Sequence, residues 1–239
     1  MLASWARVGR SALNPDVLRR TWRAVLNRLH SSWDAVGLRR DLATPLEAPA
    51  AAIGIRVRPL EQKDIPLILE VTDPQLSEEE KWERVKRRHM LDAGFGTCFV
   101  AATDDDKPCY MQWLITSRDN DKLHNYFSGL FPKLAPNEAL LEGAFTPEAY
   151  RGKRIMQAAM AQIAEKGEGV GARYVITFVG FDNIASLKGC ARAGFFPYIS
   201  RSQVWRFFRC RTVFGPYVEP AAAAPVERPK TEAVKVAVN

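Results

Sequence analysis

The chain has 239 residues, 47% of them hydrophobic and 26% charged, which suits one globular domain with extensions better than two full domains. No apolar run reaches the roughly 18 residues of a transmembrane helix, and Cys98, Cys109, Cys190 and Cys210 with three scattered histidines show neither metal-ligand spacing nor a disulfide framework, so no metal and a reducing, cytoplasmic compartment are expected. The net charge is +7, and the first 50 residues hold eight Arg against four acidic residues, a balance that favours anionic partners.

The N-terminus lacks the apolar core of a secretory signal, and its Arg-rich, acid-poor composition is shared with mitochondrial transit peptides. Residues 14–38 predict an amphipathic helix. Asn14 supplies an N-cap and Pro15 a first helical position. Leu18, Trp22, Val25, Leu29, Trp33 and Val36 recur at three- and four-residue steps, with Arg19, Arg20, Arg23 and Arg28 on the other side. Such a helix suits an anionic membrane surface, an acidic carrier protein, the protein's own sheet or a second copy in a homodimer. The Ala- and Pro-rich residues 42–52 read as a linker. The expected organisation is therefore residues 1–51 as basic helix and linker, 52–215 as the folded domain, and 216–239 as a disordered tail of Ala, Pro, Lys, Glu and Val.

Within the domain, Ile55, Val57 and Leu60 predict a first strand and residues 62–72 a helix. Ser77 with Glu80 resembles a capping box for a second helix reaching about Met90. Two strands, 97–102 and 109–116, flank the turn Asp104-Asp105-Asp106-Lys107-Pro108. Residues 117–138 form a long loop, where His124, Tyr126 and Phe127 either line a pocket or anchor the loop. A strand at 139–146, a turn, a helix at 153–165, an almost wholly apolar strand at 172–181, a short helix at 183–193 stopped by Gly194, and two last strand-like runs complete the order. The Trp205–Arg209 alternation fits a final strand, and no nucleic-acid partner is expected.

Two patterns carry chemistry. Phe145-Thr146-Pro147-Glu148-Ala149-Tyr150-Arg151-Gly152-Lys153-Arg154-Ile155-Met156 joins a strand to a helix through a basic turn. Unpaired amides and the helix dipole favour an anion there, with Arg151, Lys153 and Arg154 adding charge. The second, Asn183-Ile184-Ala185-Ser186-Leu187-Lys188-Gly189-Cys190-Ala191-Arg192-Ala193-Gly194-Phe195, follows the apolar strand directly; on its own Asn183 also reads as a helix cap.

Together these resemble the acyl-CoA-binding core of the GNAT N-acetyltransferase superfamily, closely over residues 140–198 and in element order over 52–215. The resemblance implies an α/β fold with a mixed, mostly antiparallel sheet flanked by helices, preceded here by the N-terminal amphipathic helix. It also implies acyl transfer from acetyl-CoA, or another acyl-CoA, to a primary amine on a small molecule or peptide. Pantetheine would meet the backbone near Ala144 and Phe145. The pyrophosphate would lie over the segment from Thr146 and Arg151 through Gly152, Lys153, Arg154 and Ile155 to Met156, with Asn183 and Ser186 orienting the arm. Glu142, an acid in an apolar strand, stands where relatives often place a general base; the alternative is a simple ion pair. Cys190 aligns with the position of a thiolate-protonating Tyr, although a small buried thiol is also an ordinary packing residue. Arg154 and Met156 replace glycines usual in the phosphate turn. Two other activities fit the same pattern: longer-chain transfer from acyl-CoA or an acyl carrier protein, and a non-catalytic acyl-CoA-binding module. The basic helix also admits a location peripheral to the membrane.

Overall fold

A computed structural model describes residues 29–218. Eight strands form one mixed, mostly antiparallel sheet in the order β2-β3-β4-β5-β6-β1-β7-β8. They are β1 His30–Asp41, β2 Arg56–Pro59, β3 Thr97–Ala102, β4 Pro108–Thr116, β5 Glu138–Phe145, β6 Tyr174–Gly180, β7 Phe196–Arg206 and β8 Arg209–Pro216. The helices are α1 Ile65–Leu69, α2 Glu78–Asp92, α3 Asn120–Phe127, α4 Ile155–Glu165 and α5 Ile184–Arg192. No described helix is long and apolar enough to cross a membrane, and no described group of three or more His, Cys, Asp or Glu side chains could hold a metal.

The expected helix over residues 14–38 does not extend through its C-terminal part. Residues 14–28 lie outside the described residues, while His30–Asp41 is a strand hydrogen-bonded to β6 on one side and β7 on the other. The pattern there is compatible with both periods, and pairing on both edges decides it. Val36 and Leu38 enter the core, whereas Trp33, placed on the same helical face as Val36 by its spacing, is 75% exposed. Gly37 disfavours helix and is needed by the sheet: a Cβ there would lie 2.3 Å from Ile199 Cγ2 and 2.9 Å from a Phe178 ring carbon. Buried Arg40 donates through Nη1 to the Ala161 carbonyl at 2.9 Å and pairs with Glu165 at 3.1 Å, a cation at the negative end of α4.

The domain boundary moves accordingly. The sheet takes in residues 30–41 and runs to Pro216, so 52 and 215 are not its limits; the tail beyond residue 218 lies outside the described residues. The presumed linker is docked. Leu42, Leu46, Ala51 and Ile53 pack on the core, the Leu42 amide donates to the Arg173 carbonyl and the Ala52 amide to the Lys153 carbonyl, both at 2.9 Å. The long loop is likewise structured, with a 3-10 turn at Ser117–Asp119 leading into α3. Its aromatics are anchors: Tyr126 and Phe127 stack with Phe95, and Phe127 with Phe131.

The remaining elements follow the sequence pattern within a few residues. Ser77 caps α2 by accepting from the Glu80 amide at 3.1 Å, but Glu80 reaches Arg84 and the Glu148 amide rather than closing the box. Side chains of β4 alternate between two cores. Leu114 joins the cluster beneath α4 and α5, and Trp113 and Ile115 join the one beneath α1, α2 and α3. Burying both faces explains the near-continuous apolar runs of the central strands.

Candidate active site

Strands β5 and β6 run parallel and pair only from Glu138↔Tyr174 to Leu140↔Ile176. Beyond that point they splay. Thr177 closes the vertex by donating its hydroxyl to the Leu141 carbonyl at 2.9 Å. On the other edge of β5 the ladder with β4 slips between Met111↔Phe145 and Trp113↔Glu142. Gly143 takes φ +72 at this bulge, with the Trp113 ring 2.7 Å from where a Cβ would stand; the position requires glycine. Arg87 from α2 caps the splayed edge, donating through Nε to the Gly143 carbonyl at 3.0 Å and through Nη2 to the Ala144 carbonyl at 2.8 Å. The Ala144 carbonyl, on the backbone expected to meet pantetheine, is therefore already bonded.

The vertex cavity holds about 230 Å³ and is lined by Glu142, Ala144, Met156, Asn183, Ser186 and Cys190 among others. These come from β5, α4 and α5 with its N-cap, so the structure brings most of the expected site residues together. Glu142 lines this cavity, and desolvation raises its carboxyl above the usual carboxylate range. The Gly143 amide and the charges of Arg87, Arg201 and Lys86 oppose that rise. It forms no ion pair among the described residues. Beside it on β4, Tyr110 donates its hydroxyl to Gln112 at 2.7 Å; both are buried, and burial holds the phenol well above its ordinary range. Cys190 also borders the cavity, but it is buried with its sulfur 3.8 Å from that of Met160. Burial pushes its thiol up to about 12, which makes it a poor proton donor to a thiolate whose own conjugate acid has a pKa of about 8.5.

A trough of about 720 Å³ continues from the vertex past the start of α4, lined by Phe145, Thr146, Arg151, Gly152, Arg154, Ile155 and Met156 and by the Asn183 end of α5. Gly152 has φ +78 and Arg154, the N-cap, has φ +58. The turn thus takes its left-handed form without a second glycine, at a cost of about 1–2 kcal/mol for a non-glycine residue. The other departure is compensated across the helix pair. Met156 points its methyl at Gly189 on α5, where a Cβ would lie 2.5 Å away, so the space missing on α4 is provided by α5. The first-turn amides of α4 have no intrahelical acceptor and the dipole favours an anion there.

The charges around this trough differ from the expected set. Arg151 contacts the Thr146 carbonyl at 3.3 Å and Glu148 at 3.5 Å, and Arg154 is exposed. Lys153 lies over the Tyr150 ring at 5.1 Å and is not part of the lining. Arg192 takes that role, donating to Gln157 at 3.4 Å. Ser186, Gly189 and Arg192 recur at three-residue steps on α5, a signal the second motif already contained. Arg87, Gln112 and Arg201 carry no local motif and are identified only by the fold. Glu79 and Glu83 stand on the opposite wall, with Glu83 paired to Lys86 and to Arg87. Asn183 caps α5 by accepting from the Ser186 amide at 3.1 Å while lining both cavities. Free first-turn amides, two left-handed turn residues and three arginines fit a pyrophosphate-bearing cosubstrate.

A family model described as an acetyltransferase (GNAT) domain matches residues 55–196. No curated protein matches the chain. Among solved structures, similarity extends to a putative GNAT acetyltransferase from Novosphingobium aromaticivorans (14% identity, 79% of this chain and 66% of that one, TM-score 0.46). It extends also to a GCN5-related N-acetyltransferase from Sphaerobacter thermophilus (15%, 78% and 56%, TM-score 0.45) and to a GNAT-family acetyltransferase from Colwellia psychrerythraea (13%, 77% and 59%, TM-score 0.46). The chain thus spans less than two thirds of the length of each of these, and the family assignment rests on the domain match. With that match covering more than half of its 239 residues, the chain belongs to the GNAT acetyltransferase family.

Proposed function

We propose that this domain moves an acetyl group from acetyl-CoA to the primary amine of a small molecule or peptide. The observation that carries the reading is the splayed β5–β6 vertex, with a phosphate-suited helix start on one side and a desolvated carboxylate on the other. The cosubstrate supplies the activated acyl thioester. Arg151, Arg154, Arg192 and the first-turn amides of α4 hold its phosphates, and Asn183 and Ser186 orient the arm. Glu142 accepts the proton that the ammonium must lose before its nitrogen can attack, a role suited to a carboxyl raised by desolvation. The vertex cavity of about 230 Å³ suits a short acyl chain. Cys190 packs against Met160, and water protonates the leaving thiolate.

A non-catalytic acyl-CoA-binding module is the second reading, favoured by Arg87, whose bonds to Gly143 and Ala144 occupy two carbonyls on the cosubstrate's path. Calorimetry with acetyl-CoA and longer acyl-CoAs, followed by thiol release over an amine panel, separates the readings. Micromolar donor binding with turnover on at least one amine is the expected result. Donor binding with no thiol release on any amine favours the module, and a preference for long acyl chains favours the longer-chain enzyme.

A further inference from the structure

A second hollow, of about 700 Å³, adjoins the vertex cavity. It is lined by Trp33, Asp34, Asp182, Asn183, Arg201 and Gln203, and it shares Gly180 and Asn183 with the vertex. Arg201 stands opposite Ala35 in the β1–β7 ladder. Its guanidinium lies over the rings of Phe178 at 4.9 Å and Phe131 at 5.6 Å, and its Nη1 donates to the Leu130 carbonyl at 3.2 Å. No described acid pairs with it, and its buried Nε has no hydrogen-bond acceptor. Nε and Nη2 share one edge of the guanidinium, and neither is bonded. Nε is enclosed by protein, so Nη2, neither enclosed nor bonded, is the donor left to meet a carboxylate. The stacking fixes the planar group in orientation, so that a charge-assisted bond to Nη2 is directional.

We propose that this hollow is the acceptor subsite and that Arg201 selects amines carrying a carboxylate, such as amino acids or peptides presenting one near the reacting nitrogen. The proposal rests on the acyl-transfer reading, which puts the amine at Glu142. Glu142 lines the vertex cavity and Arg201 the hollow that shares Gly180 and Asn183 with it, so a zwitterionic acceptor would lie across the two. Asp34 and Asp182 on the same wall oppose a doubly charged phosphate and admit a single carboxylate.

The test uses the full chain and primary amines matched except for the anion: an amino acid, its carboxamide, its decarboxylated amine, and a phosphate-bearing amine of similar length. With acetyl-CoA saturating, kcat/KM for the amino acid should exceed that of the two amines lacking a carboxylate by about tenfold or more, mostly through KM, because charge-assisted pairs are the stronger hydrogen bonds. Arg201→Gln should collapse that ratio towards one, and Arg201→Lys should restore part of it. Equal or better use of the carboxylate-free amines by the native protein overturns the proposal even if no variant folds. So does a ratio unchanged in Arg201→Gln, which would leave Arg201 as a neighbour tuning Glu142, visible only as a shifted pH profile. Preference for the phosphate-bearing amine overturns the choice of carboxylate. If no amine releases thiol, calorimetry of the amino acid against the native protein and Arg201→Gln decides separately. Binding that needs Arg201 sinks acyl transfer and keeps the subsite, whereas turnover without carboxylate preference does the reverse.

Discussion

The two walls of the cleft are built in opposite ways. The phosphate wall is local: two continuous stretches, 151–157 and 183–192, supply its helix starts, its left-handed turn and most of its positive charge. The acceptor wall is assembled from β1, α2, β5 and β7, which contribute Trp33, Arg87, Glu142 and Arg201 from across the chain. On the first wall the proposed binding groups are mainly backbone, so side chains such as Met156 can change if the facing helix gives way at Gly189. On the second, function depends on single ionisable groups whose behaviour is set by burial. Substitutions on the acceptor wall should therefore act on turnover and those on the phosphate wall on donor affinity.

The largest effect is expected from Glu142→Gln. Loss of a positioned base should reduce turnover by about 100-fold at neutral pH with little change in acetyl-CoA affinity. In the native protein, activity should fall as pH drops through a carboxyl pKa raised above its ordinary value of 4.5, since only the ionised form accepts a proton. Stability runs the other way. A carboxyl raised in the folded state binds more protons there than when unfolded, so the fold loses stability as pH rises from the unfolded pKa through the folded one. Glu142→Gln removes that penalty and should leave the melting temperature at pH 7 unchanged or higher. A variant that keeps full activity takes Glu142 out of the mechanism.

Replacing Arg151 and Arg192 together by Ala tests the phosphate wall. Each removes a charge lining the trough, and acetyl-CoA affinity measured by calorimetry should drop by about tenfold or more with kcat for the acetylated amine little changed. Lys153→Ala is the internal comparison. Its ammonium lies over Tyr150 outside the lining, so affinity should move by less than about twofold. Equal losses from Lys153→Ala would mean that the turn rearranges on binding and that the sequence pattern describes the bound state better than the geometry does.

The same division explains what could be read in advance. The turn at 151–156, the Asn183 cap, the Ser77 cap and the apolar β6 are legible because each depends on neighbours within a few residues. Glu142 was legible as an acid in an apolar strand. The placement of residues 30–41 was not. Trp33 and Val36 fit a helical stripe, and only the free edges of β6 and β7 make that segment a strand with its two residues on opposite faces. Arg87 and Arg201 look like ordinary surface arginines until the fold puts one on the carbonyls of β5 and the other against Phe178. Lys153 errs the other way: it sits inside the motif, and a local cation–π contact draws it out of the trough.

Cys190 is where the two walls meet, and of the two candidate catalytic residues it should give the smaller effect. A general acid there would hand a proton to the departing thiolate. With burial pushing its thiol up to about 12, that transfer runs uphill by roughly three to four pKa units, about 5 kcal/mol. A thiolate whose conjugate acid has a pKa of about 8.5 can leave as the anion and take its proton from bulk solvent afterwards, so no donor at Cys190 is required. Cys190→Ala should therefore change kcat by less than about threefold. What it removes is one buried sulfur against Met160, whose flexible chain fills part of the space, so the stability cost should be near 1 kcal/mol, or about 3 °C in melting temperature. Cys190→Ser separates packing from chemistry further. A hydroxyl there is close in size but gains no evident acceptor beside the Met160 thioether, so it should destabilise more than Ala while leaving kcat equally intact. A loss of kcat of tenfold or more in both variants, with the fold preserved, would restore the thiol as proton donor and would mean that the vertex admits more water around Cys190 once the cosubstrate is in place.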